Sequence, residues 1–134
     1  MKRPELIYHH IVDEITQIIP QTTSNKELHE LGKLFLGKKF RGVFPSDKVP
    51  TKQGYFLVNL DPSDQPGSHW VGVVRKGSRT YAYDSFGRKN LLPFKATYTE
   101  SDPEQLIVST NCGARSLSWL ILVDKWGLQA GMEI

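Results

Sequence analysis

At 134 residues, with 39% apolar and 23% charged side chains, the chain has room for one domain and one core, and its composition excludes wholesale disorder and fibrous repeats. A net charge of +3 and a pI near 9.0 permit an acidic partner without requiring one, and a single cysteine, Cys112, excludes an internal disulfide and suits a reducing, intracellular compartment. The longest apolar run near the C-terminal end, Leu120 to Val123, falls far short of the ~20 residues that span a bilayer, and Asp13 and Glu14 break the N-terminal stretch where a secretory leader would need an unbroken apolar core.

Pro4 to Ile19 carries Ile7, Ile11, Ile15 and Ile18 on one helical stripe, which predicts an amphipathic helix opened by Pro4 and closed by Pro20. A second helix is predicted from Ser24, whose capping box with Glu27 starts it, through Leu28, Leu31, Leu34, Phe35 and Leu36 to a stop at Gly37. Both helices are expected on one face of a sheet. Tyr55 to Leu60, Trp70 to Val74 and Thr80 to Tyr83 read as three strands, the last two joined by a hairpin turn over Lys76 to Arg79. Asp61 to Gly67 reads as a loop delivering Ser68 and His69, while Asn90 to Asp102 carries no clear pattern. The last element begins at Asn111-Cys112-Gly113 and continues through Leu117, Trp119, Leu120, Ile121 and Val123 to Trp126, with Gly127 as its cap. The expected fold class is α+β: a small mixed β-sheet flanked by helices, with the cysteine at the N-terminus of a buried helix. One domain over 1–134 is expected, with a helical extension over 1–23 and a core over 24–127.

His69, Asp84, Gln105 and Cys112 follow one another in the order that a cysteine hydrolase can use. A thiol nucleophile needs a base to form the thiolate, a carboxylate to orient the base, and a donor for the developing oxyanion. A helix start lowers the thiol pKa through the dipole and aims backbone N–H groups outward. If the hairpin turns over residues 76 to 79, residues whose numbers sum to 154 or 155 oppose one another. His69 then faces Ser85 or Phe86, and Asp84 falls within reach of the imidazole. Gln105, seven residues before Cys112, has enough chain to fold back beside the thiol. Singly, each has a duller reading: a buried thiol, a packed histidine, a strand-ending turn over Asp84 to Gly87. Their joint order favours the catalytic one.

These residues also carry a resemblance. Gly67-Ser68-His69-Trp70, Tyr83-Asp84-Ser85-Phe86-Gly87, and Gln105 with Asn111-Cys112-Gly113 resemble the motifs of the adenovirus protease (adenain) and the related ubiquitin-like-protein proteases and large-DNA-virus maturation proteases. Glu27-Leu28, Leu31-Gly32, Phe35-Leu36-Gly37 and Phe40 to Pro45 look like the N-terminal part of the viral members, so the resemblance covers roughly residues 24 to 127. It implies a thiol protease with Cys112 as nucleophile, His69 as base and then acid, Asp84 orienting His69, and Gln105 with the Cys112 N–H binding the oxyanion. Trp70, Asn111 and Gly113 would line the substrate site. In viral members the substrates are capsid and core precursors, cut near Gly-containing sites, which implies an enzyme packaged in the virion and active as a monomer. Adenain is stimulated by DNA and by a disulfide-linked peptide; a chain whose only cysteine is the nucleophile cannot use that disulfide. The N-terminal helix is then either a plain core helix or a substitute in cis for that peptide's packing.

Other readings stay open. The same triad could serve an isopeptidase acting on ubiquitin-like conjugates, or an acyltransferase. Lys33, Lys38, Lys39 and Arg41 form one basic cluster, and Arg75, Lys76 and Arg79 another near Arg88 and Lys89, so the chain reads as either a weak DNA binder or a solvated surface, and a non-catalytic DNA-binding virion protein remains an alternative. No metal or other cofactor is expected, since His9, His10, His29 and Glu30 lack ligand spacing. The tail Leu128-Gln129-Ala130-Gly131-Met132 loosely resembles a maturation cleavage site.

Overall fold

The computed structural model describes residues 3–18, 24–59, 69–84 and 112–134, and the backbone of 98–100. The chain is α+β. A helix, α1 (Arg3–Ile18), and a second, α2 (Asn25–Leu36), precede β1 (Phe40–Pro45), β2 (Gly54–Asn59), β3 (Trp70–Lys76), β4 (Arg79–Tyr83) and β5 (Tyr98–Glu100). Two helices, α3 (Cys112–Trp126) and α4 (Leu128–Met132), follow. The strands lie in sequence order in one mixed sheet: β2, β3 and β4 are antiparallel, and β1 and β5 join the two edges in parallel.

The capping box is present, with Ser24 Oγ accepting from the Glu27 N–H at 3.2 Å and the Glu27 carboxylate accepting from the Ser24 N–H at 3.1 Å. Gly37 ends α2 with φ at +63°, a conformation that favours glycine. The inward faces of the first two helices differ from the predicted stripes. In α1 the buried side chains are Tyr8, Ile11, Val12 and Ile15, with Ile18 56% exposed; in α2, Leu34 is 74% exposed while Gly32 lies inside. The Phe40 ring explains Gly32, because it occupies the space that a Cβ there would need. Tyr8 turns α1 inward because its hydroxyl hydrogen-bonds the buried Tyr83 hydroxyl.

Alternation along the strands builds two cores. Leu57, Trp70, Val74, Tyr81 and Tyr83 face the helices, while Phe56, Val58, Val71, Val73 and Ala82 fill the opposite side with Phe44 and Val49. α3 is the centre of the helical side: Leu117, Trp119, Leu120 and Leu122 are fully buried on it. Two strands were not foreseen, β1 and β5, and α4 was read as a tail. The predicted loop over 61–67 and the termination at Pro20 lie outside the described residues.

Candidate active site

The β3–β4 hairpin closes through Gly77 and Ser78, between Lys76 paired with Arg79, and its register sets Gly72 opposite Tyr83 and Val73 opposite Ala82. This is the register expected from the sequence. Its consequence appears one residue beyond each strand: His69 directly precedes β3, Asp84 directly follows β4, and His69 Nε2 lies 2.8 Å from Asp84 Oδ1. His69 is 8% exposed and Asp84 2%, so the contact is a desolvated, charge-assisted hydrogen bond and not a screened surface pair. With Nε2 engaged by the carboxylate, Nδ1 is the ring nitrogen through which a substrate or thiol proton would pass.

Asp84 is held by what precedes it. Tyr83 bonds Tyr8 of α1 through their hydroxyls and stacks on Trp119 of α3 with ring centroids 5.5 Å apart and planes 8° from parallel. Trp119 in turn donates its indole N–H to the Gly131 carbonyl at 3.0 Å. The end of β4 is thus fixed by three helices.

α3 lies along β3 and in the same direction. Ser116 Oγ donates to the Trp70 carbonyl at 2.9 Å, while a Cβ at Gly72 would stand 3.1 Å from the Ser116 carbonyl oxygen, 3.3 Å from Trp119 Cε3 and 3.6 Å from Leu120 Cγ. Moving from Trp70 to Gly72 therefore moves from Ser116 towards Leu120. The helix start, Cys112, is one turn before Ser116 and so belongs at the His69 end of the strand. No acidic residue occupies the first turn of α3, so the helix itself places no carboxylate at the positive end of its dipole.

Arg115 stands in that first turn and was missed by the sequence reading. A cation at a helix start opposes the dipole, so its presence there was itself a signal. Trp70 is 6% exposed, packs in the helix-side core and donates its indole N–H to Asn25 Oδ1 at 2.7 Å, which braces the residue after His69 against the start of α2. Gly113 is buried in the first turn of α3. Gln105, Asn111 and the Cys112 side chain lie outside the described residues. Among the described residues no three His, Cys, Asp or Glu side chains form a group that could hold a metal ion, and no helix is long and apolar enough to cross a membrane.

No protein-family model matches this chain, and no curated protein matches it.

Proposed function

We propose that this chain is a cysteine endopeptidase that cleaves viral capsid or core precursors at small, Gly-containing sites. The observation that carries the reading is the buried His69–Asp84 pair at one end of a hairpin, with a helix that begins at Cys112 running along the same strand. The motif resemblance supports the substrate class.

In this reading His69 removes the Cys112 proton, and the thiolate attacks the scissile carbonyl carbon. The carbonyl oxygen takes the negative charge, stabilised by the first N–H groups of α3 and the Gln105 amide. Collapse of this intermediate breaks the C–N bond as imidazolium returns its proton to the leaving amine. Water, deprotonated by the same imidazole, then hydrolyses the thioester and restores the thiol. Asp84 holds the ring and stabilises the imidazolium throughout. The enzyme works in a reducing compartment that keeps Cys112 a thiol, and is packaged with its substrates.

The test is intact-mass labelling of the folded protein by iodoacetamide from about pH 5 to 9, since only an activated thiol alkylates fast at low pH. Rapid labelling below about pH 7 that disappears in His69→Ala is the expected result. An ordinary thiol profile in both proteins, or peptide cleavage that survives Cys112→Ala, removes the reading. Preferred turnover of a Gly-Gly-ended ubiquitin-like conjugate over a capsid-type peptide reassigns the same triad to an isopeptidase.

A further inference from the structure

Two basic segments far apart in the sequence meet in one groove. It has a volume of about 350 Å³ and is lined by Lys39, just before β1, Arg41 in β1, Gly54 and Tyr55 from the start of β2, and Arg75 and Lys76 from the end of β3. They converge because β2 lies between β1 and β3, parallel to one and antiparallel to the other, so that Phe40 pairs with Tyr55 and Gly54 with Arg75. Gly54 keeps the floor low: a Cβ there would lie 2.7 Å from the Lys39 carbonyl oxygen and 2.8 Å from Arg41 Nε.

The cations are held in place. Arg41 Nε donates to the Gln53 carbonyl at 2.8 Å, and Arg75 donates to the Pro50 carbonyl with its guanidinium 5.9 Å from the centre of the Phe56 ring. Each guanidinium has five N–H donors, so a single backbone acceptor on Arg41 orients the fork without exhausting it. Asp124 contacts Lys39 at 3.1 Å and offsets its charge, and Lys76 adds an exposed ammonium.

We propose that this groove is a binding site for a compact polyphosphate anion, such as the triphosphate of a nucleotide or an inorganic triphosphate. Charge density decides the ligand class. An acidic peptide in extended form presents carboxylates on one face only every ~7 Å, whereas a triphosphate carries its charges within roughly that same distance. Phosphate oxygens also match the forked geometry of arginine. The site lies at the end of β3 opposite His69, seven residues and about 23 Å along the strand, so it stands or falls separately from the proposed active site.

Calorimetric titration of the full chain with inorganic triphosphate, at a fixed ionic strength of about 0.1 M, tests this. Saturable one-to-one binding is expected, weakened roughly tenfold by Lys76→Gln and further by Arg41→Gln, and unchanged by Lys26→Gln on α2. Lys76 is exposed and its substitution leaves the fold intact, which an unaltered thermal transition verifies. Absence of saturable binding, equal displacement by sulfate at matched ionic strength, or affinity for single-stranded DNA that grows with its length and resists triphosphate competition would each overturn the compact site. The last outcome would identify an extended polyanion track instead.

Discussion

Asp84 shows how much one carboxylate can be asked to do. It is 2% exposed and bonds His69 at 2.8 Å, so Asp84→Asn keeps the shape but removes the charge that the proposed mechanism uses to stabilise an imidazolium. A loss of roughly 10²–10⁴-fold in peptide turnover is expected, read as kcat/KM, with the thermal transition little changed. A variant as active as the parent would show that the pair is structural. Tyr55 gives an independent check on side-chain electrostatics: burial, then the charge of Asp124 and its hydrogen bond, push the phenol from 10.0 up to about 12. Its stabilising effect is fully present below about pH 10 and is lost as pH rises through about 12, because the unfolded chain releases this proton first. Ultraviolet titration should find a tyrosine ionising at about 12, and Asp124→Asn should bring it part of the way back towards 10. The His69–Asp84 contact was legible in the sequence because a two-residue turn leaves little freedom of register, and the register fixes which residues meet just beyond the strands. Tyr8–Tyr83 was not, since nothing local relates residues on the first helix and the fourth strand.

At the scale of elements, the contact of α3 with β3 sets where the helix that starts at Cys112 begins. Gly72→Ala puts a methyl 3.1 Å from the Ser116 carbonyl and 3.3 Å from Trp119, so the helix must shift by a few tenths of an ångström. A cost of about 1–3 kcal/mol is expected in urea unfolding, with a fall in kcat larger than the stability change alone would give. An unshifted midpoint would mean that the helix gives way freely. The capped helices were readable because their signals are local: Ser24 and Glu27, Gly37, and Gly127, whose N–H bonds the Val123 carbonyl at 2.8 Å. The edge strands were not. β1 contains Gly42 and ends on Pro45, β5 has three residues, and both pair in parallel, a partnership that no short-range pattern specifies. The convergence of Arg41 with Arg75 depends on that same unforeseen pairing. α4 was missed for a different reason, its five residues carrying Gly131, which is buried where a Cβ would meet Val123 Cγ2 at 2.6 Å. Cleavage within Leu128 to Met132 would have to unwind a packed helix.

Across the whole molecule, the division into an extension over 1–23 and a core beginning at residue 24 invites a direct trial. Tyr8, Ile11, Val12 and Ile15 are all buried in the helix-side core, each contributing about 1.5–3 kcal/mol, against a typical domain stability of about 5–15 kcal/mol. Removal of residues 1–23 should therefore abolish cooperative unfolding by circular dichroism. A sharp transition in the shortened chain would establish α1 as an accessory.

The order of the parts along the chain has a temporal consequence. β3 and β4 leave the ribosome before α3 and α4, whose Trp119 and Gly131 help to fix the end of β4, so the His69–Asp84 contact gains its full support only when the C-terminal helices emerge. Until α3 docks, the helical side of the sheet lacks its central helix. A nascent or half-made copy is thus a marginal hairpin, and the buried His69–Asp84 pair settles together with the completed core.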